Sequence, residues 1–283
     1  MRFQRQILAW FCIFSLSVAC GKGFQVKGKT SEMTGLVVKD SRYRTNQLVD
    51  ENMDYEKFVS KDPATPDATY TPQSRGSFDR GSLVNASLLP SKGSGYIASP
   101  AHRLKHYSNF ELQKVITFAA AEVRKKYPQG SPLEIGSLSP ANGGRNGDHK
   151  SHQNGTDADI YYYSINESDD HDMVKGGKVL DHFDYTRNYL FMKHLVSTGR
   201  VIRIFVSEEI KRALCNQAAF LGESTTVNET LRRIRPEAGH DDHMHIRTYC
   251  PFGSIPGCLD QEEISKSQGP ECEVLKLKMS FKK

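Results

Sequence analysis

The sequence predicts an α+β fold with a mainly antiparallel central sheet and flanking helices, and three observations carry that prediction. Helical periodicity is confined to a few segments, and two short stretches alternate polar and apolar residues in the manner of strands. The two patterns do not succeed each other regularly, as a parallel βαβ architecture would require.

The first helix is expected over residues 108–127. Ser108 with Glu111 three positions on has the form of a capping box, and Leu112, Val115, Ile116, Ala119 and Val123 make one apolar stripe before Pro128 stops it. A second helix is expected over residues 184–198, capped by Asp184 and ended by Gly199. The apolar run 201–206 has the character of a buried strand, and a short helix is expected over 207–215. A tyrosine-rich stretch, residues 157–164, suits a strand that sets Asp157 and Asp159 on one face and Ala158 and Ile160 on the other. From position 243, His243 and His245 alternate with Met244 and Ile246, so both imidazoles leave one face of a strand.

The remainder of the 283 residues divides by composition. Residues 1–19 resemble an export signal, with Arg2 and Arg5 ahead of an apolar run too short to span a membrane. It ends in Ser17-Val18-Ala19-Cys20, which suits ordinary signal cleavage or, with Cys20 as the lipidated residue, a lipobox whose usual Leu is replaced by Ser17. Export points to the periplasm, with a membrane tether as a lipoprotein if Cys20 carries lipid. Residues 20–78 are polar and rich in Pro, Asp and Thr, the composition of a linker or tether. Residues 79–275 are expected to hold the catalytic domain and 276–283 a tail. A formal net charge of +5, with Lys and Arg scattered, gives no sign of a nucleic-acid partner.

Of six cysteines, Cys12 lies in the leader and Cys20 at its cleavage point, leaving Cys215, Cys250, Cys258 and Cys272. An even number in an oxidising compartment implies two disulfides, for which spacing alone permits three pairings. No C-x2-C spacing suggests zinc held by sulfur.

Histidines carry the functional signal. Five of the ten fall in two short stretches: His149 and His152 ahead of Asp157 and Asp159, then His240, His243 and His245. Gly155 permits a turn that brings His152 back beside Asp159. If the two strands lie side by side, His152, Asp159, His243 and His245 converge on one point. A catalytic zinc takes three nitrogen or oxygen protein ligands and keeps a fourth position for water, whose pKa falls to about 7. The zincin motif H-E-x-x-H, the nucleophile elbow G-x-S-x-G and a phosphate loop are all absent.

His-x6-Asp with a distant His-x-His resembles the superfamily of lysostaphin, D-Ala-D-Ala metallopeptidases and hedgehog. Gly81-Ser-Leu-Val-Asn-Ala86, Gly143-Gly-Arg-Asn-Gly-Asp-His-Lys-Ser-His-Gln153, Arg203-Ile-Phe-Val206 and the run from Arg235 to Arg247 are similar to the penicillin-insensitive murein endopeptidases over residues 81–258. The resemblance implies a fold of the lysostaphin type and a Zn2+-dependent hydrolase acting on peptidoglycan at its D-alanyl–meso-diaminopimelyl cross-links. A D,D-carboxypeptidase on the same site, or a zinc-holding wall-binding protein without turnover, is the alternative. His152, Asp159 and His245 become the zinc ligands, with His149 a further ligand or a close neighbour. His243 becomes the acid–base group or oxyanion stabiliser, assisted by His240, and Arg145 a partner for a substrate carboxylate. The resemblance also implies the pairings Cys250–Cys258 and Cys215–Cys272, and leaves a homodimer open. Ala86 stands where the family has a further half-cystine, and residues 167–181 do not match its pattern.

Overall fold

The computed structural model describes residues 71–272 apart from 148, 166–169, 255 and 264–267. The leader, Cys20, nearly all of the expected linker and the tail lie outside the described residues. In chain order the elements are β1 (Gln73–Ser77), β2 (Arg80–Val84), β3 (Ser87–Leu88), β4 (Lys92–Gly93), β5 (Tyr96–Ala98), β6 (Tyr107–Ser108), α1 (Phe110–Lys126), β7 (Leu133–Ile135), β8 (Asp157–Tyr161), β9 (Val174–Lys175), β10 (Lys178–Val179), α2 (Tyr185–Ser197), β11 (Val201–Val206), α3 (Glu208–Phe220), α4 (Glu229–Arg233), β12 (Ile234–Pro236) and β13 (His243–Thr248). A 3-10 turn, Pro100–Lys105, links β5 to β6.

Seven strands form the central sheet in the order β12-β11-β13-β8-β7-β5-β4. Its pairs are antiparallel except β11 with β12 and β5 with β7. The parallel pairs are those joined through helices, α3 and α4 in one case and α1 in the other, because a parallel neighbour needs a long crossover. The α+β expectation with a mostly antiparallel sheet therefore holds.

Alternation along β8 and β13 splits the sheet into a dry face and a polar face. Ala158, Ile160, Met244 and Ile246 are fully buried in the core with Leu112, Val115 and Ile116 of α1 and Phe191 and Leu195 of α2. Burying a side chain of this size contributes roughly 1.5–3 kcal/mol, so this face fixes the register of both strands. Asp157, Asp159 and His245 are consequently turned to the opposite face.

Four boundaries differ from the sequence expectation. The cap of α1 is Asn109, not Ser108: the Asn109 Oδ1 accepts from the Leu112 amide at 2.8 Å. Asn caps at least as well as Ser, and here its amide also donates to the Gly155 carbonyl at 2.7 Å and to Ser74 Oγ at 3.1 Å. Glu111 then faces Arg200, with which it forms an ion pair, instead of closing a capping box. Helix α3 runs past residue 215 to Phe220, since Leu214, Cys215 and Ala218 extend its buried face. Strand β8 ends at Tyr161 rather than 164. Strand β1 opens at Gln73, inside the segment whose composition suggests a linker. Cys215 is bonded to Cys272 and Cys250 to Cys258, the pairing the resemblance implied.

Replacing Asn109 by Ala removes a cap and two tertiary hydrogen bonds, and is expected to cost about 2–3 kcal/mol. Ser108→Ala, losing one hydroxyl contact to the Asn109 carbonyl, should cost about 1 kcal/mol or less. Urea unfolding of the two variants measures the difference; equal losses would mean the helix is not capped at Asn109.

Candidate metal centre

Strands β8 and β13 lie antiparallel with His245 opposite Asp159 and His243 opposite Tyr161. His152 arrives from the loop ahead of β8. Its backbone sits in the left-handed region at φ +65°, which His tolerates better than most residues, and Gly155 at φ +77° supplies the return turn. His152 is wholly buried, and Asp159 and His245 nearly so.

Three atoms meet. His152 Nε2 lies 3.1 Å from Asp159 Oδ1 and 3.2 Å from His245 Nδ1, and His245 Nδ1 lies 3.0 Å from Asp159 Oδ1. A tetrahedral zinc with bonds of about 2.0–2.1 Å separates its ligand atoms by about 3.3 Å, so this triangle has nearly the dimensions of one face of such a polyhedron. The outer contacts settle which nitrogens carry hydrogen. His152 Nδ1 is 2.6 Å from the Leu138 carbonyl, which can only accept. His245 Nε2 donates to Asp157 Oδ1 at 2.8 Å. Each ring thus turns its second nitrogen inward, and the two inner nitrogens oppose each other unless a cation, a proton or a metal ion, lies with them. An imidazole oriented by a carbonyl or a carboxylate is the usual support of a metal ligand. The donor set fits a metal ion.

His149 stands at the rim, with Nδ1 3.7 Å from Asp159 Oδ2. His149, His152 and Asp159 can each offer a ligand atom within 4.8 Å of the others, and His245 comes closer to two of them than His149 does. His243 Nε2 lies 3.6 Å from Asp159 Oδ1, on the open side, while its Nδ1 is held by Asp242 Oδ1 at 2.6 Å. His240 sits 5.2 Å from His243 between ring centroids and stacks over Phe205. Its Nδ1 bonds the Glu237 carbonyl at 3.1 Å, and its own carbonyl is fixed by Tyr162 and by the Ser207 amide. Arg145 is exposed on the loop preceding His149, and among the described residues no contact ties it to the cluster.

These groups strongly perturb one another. Burial opposes the charge of Asp157, yet Arg247 and His245 outweigh it and hold this carboxyl well below the usual range. Asp159 is also held low: burial opposes ionisation, and the charges and hydrogen bonds of His152 and His245 prevail. Burial lowers His245, but its bonds to Asp157 and Asp159 push it up to about 9. Burial lowers His149, with His152 adding to the effect, and burial followed by His243 lowers His240, favouring neutral rings.

With this geometry in view, the relatives of the chain become informative. Residues 74–282 match the family model of the penicillin-insensitive murein endopeptidases. The chain belongs to that family. Among its relatives, the penicillin-insensitive murein endopeptidase of Klebsiella pneumoniae strain 342 is 31% identical over 201 residues, covering 67% of this chain and 70% of that protein. Proteins of the same name from Escherichia coli K12 (DH10B) and Shigella boydii serotype 18 give the same identity and coverage.

Two residues of the centre carried no assigned role in the sequence reading. Asp157 orients His245, and Arg247 Nε holds Asp157 Oδ1 at 2.7 Å while its guanidinium lies 3.5 Å over the Phe78 ring. The alternation that selects Asp159 and His245 also selects their neighbours two residues away, Asp157 and Arg247. A fully buried carboxylate on the ligand face is the signal.

In this murein endopeptidase family member, Asp157→Asn is expected to weaken metal binding about 10–100-fold by releasing the His245 ring. Competition against a chromogenic chelator measures it; unchanged affinity would remove Asp157 from the centre. Because His245 is protonated below pH 9 without metal, binding at neutral pH must expel that proton. Titration calorimetry in buffers of different ionisation enthalpy should detect about one proton released per metal, and affinity should fall as the pH is lowered. Release of no proton would contradict the arrangement.

Proposed function

We propose that this chain is a zinc-dependent murein endopeptidase that hydrolyses the D-alanyl–meso-diaminopimelyl cross-links of peptidoglycan in the periplasm, with Cys20 as a candidate site of lipid attachment. The observation that carries this reading is the triangle of His152 Nε2, Asp159 Oδ1 and His245 Nδ1, with two more imidazoles on its open side. Family membership and the names of the relatives support the substrate class. Two imidazoles and one carboxylate, all hydrogen-bonded from outside, form the donor set of a catalytic zinc rather than of a cysteine-rich structural one.

In this reading His152, Asp159 and His245 hold the metal and His149 completes the rim. When bound, zinc would supply Lewis acidity toward the scissile carbonyl and lower the pKa of a water molecule. The chain's own residues do the rest. Asp242 accepts the Nδ1 hydrogen of His243 and so presents Nε2 to the open side. Hydrogen bonding from His243 outweighs partial burial and keeps Asp242 ionised, ready to stabilise an imidazolium. His243 Nε2 therefore takes up a proton from the attacking water and returns it to the amine that leaves, general acid–base work of a kind contributing typically 10²–10⁴-fold. His240 has given its Nδ1 hydrogen to Glu237 and offers Nε2 as an acceptor for a substrate amide. Phe205, stacked on His240 and edge-on to His245, shields this side from water.

Purified protein is expected to convert cross-linked murein to monomeric muropeptides, to lose that activity to a chelator and regain it with zinc, and to ignore penicillin. Muropeptide chromatography decides: unchanged dimers with zinc-loaded protein would reject the reading, and loss of only the terminal D-Ala would make the chain a carboxypeptidase. His243→Ala should bind metal with wild-type affinity while turnover falls roughly 10²–10⁴-fold. Persisting turnover would take the proton-transfer role away from His243.

A further inference from the structure

One cation beside the metal centre has no assigned role. The 3-10 turn Pro100–Lys105 is fixed at two points beside the centre. His102 Nε2 bonds the phenol of Tyr161 at 3.0 Å, and Tyr161 is two residues beyond Asp159, on the same face of β8 and opposite His243. Tyr161 is itself immobilised by His171, stacked at 3.8 Å with an interplanar angle of 17°. At the other end of the turn, the Lys105 carbonyl accepts from the Leu138 amide at 2.7 Å. Leu138 is also the residue whose carbonyl orients the His152 ring. The backbone of Lys105 is therefore one residue removed from the support of a metal ligand.

The Lys105 side chain reaches the loop that carries His149: its Nζ lies 4.0 Å from where Gly147 would bear a Cβ. Lys105 is only partly exposed, and among the described residues it has no ion-pair partner. A half-buried ammonium beside the loop that carries His149, with no ion-pair partner among the described residues, is a receptor for an anion supplied from outside the chain. Its three donors and compact charge suit a carboxylate.

Resting on the endopeptidase reading above, we propose that Lys105 is a specificity residue, binding a free carboxylate that the substrate peptide carries beside the scissile amide. The exposed Arg145, by contrast, is not fixed against the cluster. The proposal separates binding from proton transfer: Lys105 selects the peptide, and His243 acts on the bond.

The test uses two synthetic cross-linked stem-peptide dimers, identical except that the diamino acid contributing the scissile amine carries either a free carboxylate or a carboxamide. With zinc-loaded wild-type protein, kcat/KM is expected to be about tenfold higher for the carboxylate dimer, the difference lying in KM, as fits a charged contact at a partly exposed position. Lys105→Gln should reduce that ratio to near one, and Lys105→Arg should restore most of it. Equal kcat/KM for the two dimers in the wild type, or a ratio that survives Lys105→Gln, would overturn the proposal. If the wild type cleaves neither dimer, the endopeptidase reading fails separately. Fluorescence-anisotropy competition between the two dimers then judges Lys105, with a preference for the carboxylate that Lys105→Gln abolishes supporting it and equal affinity rejecting it.

Discussion

The pairing of β8 with β13 is the constraint on which the rest depends. Because His245 stands opposite Asp159 and both strands bury their other faces against α1 and α2, the ligand atoms cannot separate without exposing Ile160, Met244 and Ile246. A slip of one residue would exchange the polar and apolar sets and place two carboxylates and an imidazole in the core. Hydrophobic burial thus supplies the rigidity that a metal centre requires, and the centre need not stabilise the sheet to exist.

The polar face carries its own cost. Asp157 and Asp159 are buried carboxylates less than one strand width apart from the same imidazole, and isolated charges in such surroundings are strongly destabilising. The structure offsets this by pairing every one of them: Arg247 with Asp157, His245 with both, His152 with Asp159. Arg247 is in turn held by Phe78 and by Gln261. The result is a chain of contacts from the β1–β2 turn to the outer nitrogen of His245, Nε2. Both imidazoles that look inward are constrained from outside, one by a backbone carbonyl and one by a carboxylate. That asymmetry matters, because a carboxylate behind an imidazole raises its basicity more than a carbonyl does.

Much of this was legible in the sequence, and the reasons are local. Period-two alternation around Ala158, Ile160, Met244 and Ile246 dictates which side chains share a face, and those are short-range properties of a strand. The second helix was equally readable, since Asp184 and Gly199 are punctuation that acts within a turn. The first helix was misplaced by one residue for a tertiary reason: Asn109 is preferred as the cap because Gly155 and Ser74, distant in the chain, accept its amide. For the same reason Asp157 and Arg247 could be set on the correct face but not given their task. Only the fold shows that they touch, 90 positions apart. His102, Leu138 and Lys105 are harder still, because nothing in their local pattern announces a tie between a 3-10 turn and a metal ligand.

The two halves of the centre differ in how they are built, and under the proposed function the difference follows from what each would do. His152, Asp159 and His245 are buried and tied to strands or to the backbone beside them, as suits groups that should not move. His243, His240 and His149 lie at the margin, partly exposed and adjacent to loops. A group that accepts and returns a proton needs access to water and to substrate, and a ring locked between two partners has no lone pair to offer. Asp242 resolves the conflict for His243 by constraining one nitrogen and leaving the other free. The proposed role of Lys105 would place substrate selection on the 3-10 turn and the glycine-rich loop, outside the sheet. Specificity can then change there without disturbing the register that brings the ligands together.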